Sequence, residues 1–365
     1  MVDKVHVNLM NSSYDISIGF NILKNFFIST IFLNNTNSVI ITNNTIKNVI
    51  LKNKYYSINK NIKNIPIFSI PDGECYKNLK EVENIISFLL KKLYGRDVIL
   101  IAIGGGVVGD ITGFVASIYQ RGVNFFQVPT TLLAQVDASI GGKTGVNHIL
   151  GKNMIGSFWQ PKGVLIDIEF LSTLPREHII SGMAEIIKYA IIFDHEFFIW
   201  LEKNCFKILQ LQKDTLLYCI KKCCELKALV IEADEKESNL RLFLNLGHSF
   251  AHAIEAYIGY GKWLHGEAVS VGIVISAYLS VQLNMLHKDY FSRIKTIFYR
   301  IGLPIKGPKG MLPQDYLEFM LRDKKVLSGK IRLILPVSIG KVQLFSSIEN
   351  TSILRFIKKF QEDKH

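Results

Sequence analysis

The residues best suited to chemistry are concentrated in the second half of the chain. In LRLFLNLGHSFAHAIEAYIGYGKWLHGEAVSVG, His248 and His252 stand at i,i+4 on an expected helix, and His265 heads another. Upstream, SGMAEIIKYAIIFD sets Glu185 and Lys188 at i,i+3, neighbours on one helix face. A solvated ion pair is the ordinary reading of that spacing. The residues around this pair are nearly all apolar, however, which points to a buried face, where a Glu–Lys pair is costly unless other groups compensate. One carboxylate with two imidazoles and an open position is a usual shell for a catalytic divalent ion, zinc first. Glu185, Asn245 and the three histidines form such a set in an otherwise apolar helical region. Spacing alone makes His248 and His252 the natural pair and does not say which histidine stands outside.

A second group lies in ILIAIGGGVVGDITGFVASIYQRG, Ile99 to Gly122. The run Val98–Ile103 has the length and β-branched content of a strand buried on both faces. Gly104, Gly106 and Gly109 then fall in G-x-G-x-x-G spacing, and Asp110 follows where a helix would begin. Backbone amides and the positive end of a helix dipole would there face a pyrophosphate. The acidic ribose ligand expected about 20 residues later is missing, because the first acidic residue after Asp110 is Asp137. A plain strand–turn–helix connection competes with the nucleotide reading. Further on, QVPTTLLAQVDASIGGKTGVNHILGKNMIGSFWQP carries Thr130, Thr131, Asp137, Lys143 and Lys152. Its GGKT resembles the end of a P-loop, but Asp137 occupies the position of the upstream glycine, which disfavours a P-loop NTPase. A lysine-bearing surface remains, fit for an anionic ligand or a nicotinamide ribose.

The elements that must position these residues come in two textures. KVHVNL, YDISIG, SVIITN, IPIFSI, DVILIAI, FFQVP and GVLIDI read as strands, with a helix from about Asn78 to Leu93 among them. Strands alternating with helices predict an α/β sheet. After FLSTLPREHI the chain reads as long helical segments until IRLILPVSIGKVQLF, an expected hairpin. With 365 residues there is room for two domains. The boundary is expected near Thr173–Arg176, giving an α/β domain over 1–175, a mainly helical one over 176–365, and a cleft between them as the default site.

Composition excludes several classes. The net charge of +12 is spread, much of it as Lys interleaved with Asn and Ile in the first hundred residues. Without a basic block or zinc-finger spacing this argues against nucleic acid as partner. Ala268–Leu286 carries no charge, but its Ser, Gln, Asn and Gly content points to a buried helix rather than a membrane span. The five cysteines include adjacent Cys223 and Cys224 and no C-x-x-C, which suits a reducing cytoplasm. The alternating start Met1-Val-Asp-Lys-Val-His does not read as a secretory signal.

Taken in order, DGE.YK (Asp72–Lys77), GGGVVGD, YQRG, VPTTLLAQVDASIGGKTGVNH, LGKNMIG, GMAEIIKY, DE.E..LR..LNLGHSFAHAIE and HGEAV closely resemble the 3-dehydroquinate synthase family. That family is the sugar-phosphate cyclase branch of a superfamily that includes metal-dependent polyol dehydrogenases. The motifs extend from Asp72 to Lys325. The resemblance implies a Rossmann-like domain binding NAD through Asp72, Gly73, Glu74, Cys75, Tyr76, Lys77, Gly106, Val107, Val108, Gly109, Asp110, Thr130, Thr131, Lys143, Lys152, Phe170, Leu171, Ser172 and Thr173. It also implies a divalent metal, zinc or cobalt, on Glu185, His248 and His265, with His252 facing substrate. Arg121, Asp137, Lys143, Lys152, Asn153, Lys188, Lys227, Glu237, Arg241, Asn245, His252 and Lys324 match positions lining the family's substrate pocket. Three positions depart from the pattern. Asn239 stands where Gly is usual and is expected to tolerate a left-handed backbone; Ala251 replaces a usual Gly, and Ile149 a usual Pro.

The implied activity belongs to the shikimate pathway of aromatic amino-acid biosynthesis. It turns 3-deoxy-D-arabino-heptulosonate 7-phosphate into 3-dehydroquinate and phosphate. Transient oxidation of the C5 hydroxyl by NAD acidifies the adjacent C–H, phosphate leaves by β-elimination, the hydride returns, and ring opening and an aldol step close the carbocycle. The metal would polarise the C4–C5 oxygens. His252 would accept a proton, and Lys152, Lys188, Lys227, Arg241 and Lys324 would hold the two anionic ends. A homodimer is the family's common form. Another NAD- and metal-dependent cyclase or a polyol dehydrogenase is the neighbouring reading, and a catalytically dead sensor the one from another class.

Overall fold

The computed structural model describes residues 2–23, 37–52, 65–259, 261–322, 331–346 and 348–363. The chain divides into two compact units, Met1–Pro175 with Lys213–Lys236, and Arg176–Gln212 with Glu237–His365.

The described strands and helices of the first unit are β1 (Val2–Val7), β2 (Tyr14–Gly19), β3 (Ser38–Asn43), α1 (Asn44–Lys52), β4 (Ile67–Ile70), α2 (Leu79–Lys91), β5 (Ile99–Gly104), α3 (Gly106–Ile118), β6 (Asn124–Pro129), β7 (Lys143–His148), β8 (Gly151–Phe158) and β9 (Val164–Asp167). Seven strands form one sheet in the order β1-β2-β9-β6-β5-β3-β4. Every pairing is parallel except β1 with β2 at the edge. Burial follows sequence character: all six residues of β5 are buried, whereas β1 alternates, as a central and an edge strand should. The chain runs outward from β3 to β4, then returns to the other side of β3 as β5, which puts a topological switch point between β3 and β5. Ligands of open α/β sheets sit beyond the carboxyl ends of strands at such a point. Helix α2 is fixed by the Asn78 side chain accepting from the Glu81 amide.

The expected strands all form. Within the lysine-bearing patch, β7 and β8 pair antiparallel, a hairpin that was not among the expected strands. Gly145 and Gly156 face each other so closely that a side chain at either would strike the opposite backbone.

The second unit contains α4 (Arg176–Phe193) and α5 (His195–Leu209). After α6 (Lys213–Ala233), which belongs to the first unit, it continues with α7 (His248–Ile258), α8 (His265–Gln282), α9 (Lys288–Arg300), α10 (Pro313–Arg322), the hairpin β10 (Leu333–Ser338) and β11 (Lys341–Phe345), and α11 (Asn350–Glu362). Helix α8 is apolar on all sides and buried through Ser280, packing on α4, α7, α9, α11 and β10. That accounts for the uncharged run Ala268–Leu286. Among the described residues no helix is long and apolar enough to cross a membrane.

A single cut at 175/176 is corrected by α6. Its buried stripe of Leu216, Cys219, Ile220, Cys223 and Cys224 packs on β1, β2 and the turn Ala134–Ala138, so 213–236 rejoins the first unit. A helix between helices carries no change of texture to mark that return.

Candidate active site

In the second unit, three helices bring a carboxylate and two imidazoles together. Glu185 lies in the part of α4 that is buried without a break from Ser181 to Ile192. His248 and His265 are the first residues of α7 and α8. Their approach depends on glycine: Gly247 precedes α7 at φ 78, and its carbonyl lies against Gly272, where a Cβ would overlap it. Nε2 of His248 is 3.7 Å and Nε2 of His265 is 3.6 Å from the same oxygen, Oε1 of Glu185. Both distances exceed a hydrogen bond. They suit two donors on one ion, since ligand atoms about 2.0–2.1 Å from a tetrahedral ion lie roughly 3.4 Å apart. Candidate ligand atoms of Glu185, His248 and His265 all lie within 4.8 Å of one another.

The surroundings fit an ion. Neither oxygen of Glu185 receives a well-formed hydrogen bond, although the Lys188 ammonium makes an ion pair with Oε2. Both side chains are at most 2% exposed, so the pair is buried, not solvated. Each imidazole has an acceptor at its other nitrogen: the Leu246 carbonyl lies 3.2 Å from Nδ1 of His248, and Glu255 Oε1 lies 3.0 Å from Nδ1 of His265. This second contact turns Nε2 toward Glu185. His252 is half-buried one turn along α7, its ring 5.7 Å from that of His248. Among the described residues, His252 is not part of the ligand cluster.

Asn245 donates to Glu237 Oε1 at 2.9 Å, while Arg241, on the 3-10 turn Leu240–Asn245, is 1% exposed. The left-handed backbone expected at Asn239 is found instead at Glu237, with φ 60; Asn239 has φ −143. Ala251 is fully buried, and its amide donates to the Gly247 carbonyl. Lys324 lies outside the described residues.

In the first unit the glycine loop leaves β5 at the switch point. Gly105 offers no side-chain cap to α3, and Cβ atoms at Gly105 and Gly106 would crowd Thr131 and Ala138 at 3.1 and 3.2 Å. The helix amides are thus open to an anion at a cradle that side chains would fill. Thr130 donates its amide to the Gly104 carbonyl. Lys77 Nζ binds Asp110 Oδ2 and Asn153 Oδ1, each at 2.5 Å. Asp110 keeps 20% of its side-chain surface exposed. Desolvation nevertheless raises its carboxyl above the usual range, against the lowering effect of Lys77. Glu74 Oε1 accepts from Asn147 at 2.9 Å. Asp72, Gly73, Cys75 and Tyr76 are exposed, and Val107 and Val108 form the first turn of α3 with Gly109 behind them.

Lys227, on α6, donates to the carbonyl and Oδ1 of Asp137 at 2.5 Å each. Lys143 is exposed at the start of β7, Lys152 half-buried on β8, and Ile149 exposed at the hairpin tip. Phe170 and Leu171 turn into the core, leaving Ser172 and Thr173 outermost on that turn. Arg121 and Asn153 have left-handed backbones, φ 66 and 54. Such conformations in non-glycine residues gather at ligand sites.

Glu255 was not among the sequence candidates. The signal was an acidic residue in the apolar helix HSFAHAIEAY, at i+7 from His248 and so on the same face.

The N-terminal 3-dehydroquinate synthase family matches residues 67–181, and the C-terminal one residues 182–326. A 3-dehydroquinate synthase of Buchnera aphidicola subsp. Cinara cedri (strain Cc) is 67% identical over 362 residues, 99% of each chain. The chain belongs to the 3-dehydroquinate synthase family. A second 3-dehydroquinate synthase, of Buchnera aphidicola subsp. Baizongia pistaciae (strain Bp), is 54% identical over 96% of this chain and 99% of its own. Among solved structures, a 2-epi-5-epi-valiolone synthase of Streptomyces hygroscopicus subsp. jinggangensis, with NAD+ and Zn2+ bound, superimposes with a TM-score of 0.87. It is 25% identical, with 97% of this chain and 98% of that one covered. The 3-dehydroquinate synthase relatives are thus much nearer in sequence than that valiolone synthase.

Proposed function

We propose that the chain converts 3-deoxy-D-arabino-heptulosonate 7-phosphate into 3-dehydroquinate and phosphate, in the shikimate pathway and the cytoplasm, as a homodimer using NAD and one zinc or cobalt ion. Identity of 67% along the whole length of a 3-dehydroquinate synthase carries this reading. The converging donors of Glu185, His248 and His265 support it. Bound NAD+ supplies a reversible hydride acceptor, and the divalent ion a Lewis acid toward the sugar oxygens.

Within that reaction, Glu185, His248 and His265 would hold the ion. The open amides at the start of α3 would receive the cofactor pyrophosphate, and Asp72–Lys77, Asp110, Thr130, Thr131, Lys143, Lys152 and the turn Phe170–Thr173 would complete its contacts. His252, one helical turn from a metal ligand, takes the proton of the C5 hydroxyl at an imidazole nitrogen. Lys152, Lys188, Lys227, Arg241 and Lys324 receive the carboxylate and phosphate. Burial of Lys188, Lys227 and Arg241 strengthens that attraction, because water competes less there. Arg121, Asp137, Asn153, Glu237 and Asn245 orient the sugar, and positioning contributes much of the rate.

The deciding assay supplies the heptulosonate phosphate, catalytic NAD+ and Zn2+ or Co2+. Phosphate is expected over many turnovers without accumulation of NADH absorbance. Steady NADH formation matched to product would instead mark a dehydrogenase.

A further inference from the structure

Glu255 is a carboxylate 4% exposed, on α7 two turns beyond His248, with no part in the reaction as assigned above. Its Oε1 lies 3.0 Å from Nδ1 of His265, the residue that opens α8. We propose that Glu255 is a positioning residue of the metal centre. It keeps the proton of His265 on Nδ1 and leaves the Nε2 lone pair for the ion. The proposal deepens the metal reading above and rests on it.

The argument begins with proton counting. An ionised carboxylate only accepts, so the nitrogen facing Glu255 must carry the hydrogen, and a neutral imidazole then has its lone pair on Nε2. That lone pair faces Glu185 Oε1 across 3.6 Å. That separation is beyond hydrogen-bonding reach. A shared ion fits the gap. His248 is arranged in parallel, with Nδ1 against the Leu246 carbonyl and Nε2 toward the same Glu185 oxygen. The two imidazoles differ in what stands behind them: a neutral carbonyl for His248, a full negative charge for His265. A carboxylate behind a ligand histidine fixes its tautomer and raises its basicity. His265 is the ligand that needs this more, since 26% of its side chain is exposed against 12% for His248.

The test compares wild type, Glu255→Gln and Glu255→Ala by chelator competition for Zn2+ and by visible absorption of the Co2+-loaded protein. Thermal unfolding of the metal-free forms is measured alongside. Gln is nearly isosteric and still accepts from Nδ1–H. Glu255→Ala is expected to bind Zn2+ about 10–100-fold more weakly and Glu255→Gln to recover most of that loss, with altered Co2+ spectra in Ala. Unchanged affinity in Glu255→Ala overturns the proposal. So does an affinity loss in both variants that merely tracks a drop in metal-free melting temperature, the mark of a general α7–α8 tie. If wild type itself takes up no stoichiometric Zn2+ or Co2+, the metal reading fails rather than the role of Glu255 within it.

Discussion

Gly266 packs on Ser181 so tightly that a Cβ at 266 would overlap the Ser181 carbonyl, while the Gly266 amide donates to the Ser181 hydroxyl at 3.0 Å. The contact joins the first turn of α8 to α4 one turn ahead of Glu185, so it sets the separation of His265 from Glu185. Gly266→Ala should therefore cost about 1–3 kcal/mol of stability by overpacking and weaken metal binding at the same time. Ser181→Ala, which removes one hydrogen bond, should cost about 1 kcal/mol. Denaturant unfolding with metal analysis checks both. A Gly266→Ala protein with wild-type stability and metal content contradicts the account.

The ligand assignment predicts different fates for the histidines. His248→Ala and His265→Ala should lose both bound metal and turnover, whereas His252→Ala should slow turnover and retain one metal per chain. Glu185→Gln is the informative change at the carboxylate, because Ala would strand the buried Lys188 ammonium. Elemental analysis of the purified variants reads the outcome. Metal loss in His252→Ala with retention in His265→Ala would reverse the roles.

Much of this was legible beforehand, and the misses have physical causes. Apolar runs such as Val98–Ile103 announce central strands because burial on both faces demands them. The residue types of the proposed ligand set, a carboxylate and imidazoles in an apolar helical region, could be read from the sequence too. Spacing alone left their partnership open, and only the family resemblance singled out His265: His248 and His252 share a helix face, whereas His265 reaches Glu185 through the close packing of Gly266 and Gly247, which is tertiary information. The hairpin β7–β8 was hidden by its Gly and Asn content, and holds through backbone pairing at Gly145 and Gly156. At Glu237 the left-handed residue is a glutamate, where residue preference points to its neighbour Asn239.

The proposed substrate is doubly anionic, and a pocket for it needs cations that a pocket for a neutral polyol would not. Arg241 and Lys227 are 1% and 5% exposed. Neutralising either should cost about 2–5 kcal/mol of transition-state binding, as for a truncated charged pair. Comparison of kcat/KM for the heptulosonate phosphate, sedoheptulose 7-phosphate and glycerol checks the premise. Equal turnover of a substrate lacking the carboxylate or both anions is the outcome that would falsify it.

Thiol reactivity offers a probe of the cofactor segment. Cys75 is exposed, while Cys205, Cys219, Cys223 and Cys224 are buried. Desolvation raises the thiols of Cys205, Cys223 and Cys224 above their ordinary range, which removes thiolate at neutral pH. Native protein should consume one equivalent of a thiol reagent quickly and all five only when unfolded. Because Cys75 lies within Asp72–Lys77, saturating NAD+ should slow that first equivalent. A rate indifferent to NAD+ argues against cofactor contact there.

The return of α6 to the first unit has a consequence for biosynthesis. When residue 175 leaves the ribosome, every strand of the seven-stranded sheet has been made, yet the helix that covers β1, β2 and the Ala134–Ala138 turn has not. Domains tend to fold as units during synthesis, but this one must wait while thirty-seven residues of the other unit, Arg176–Gln212, emerge first. The nascent sheet meanwhile presents an apolar face whose cover, Leu216, Cys219, Ile220, Cys223 and Cys224, is still to come. Through that interval the sheet's uncovered apolar face is open to aggregation.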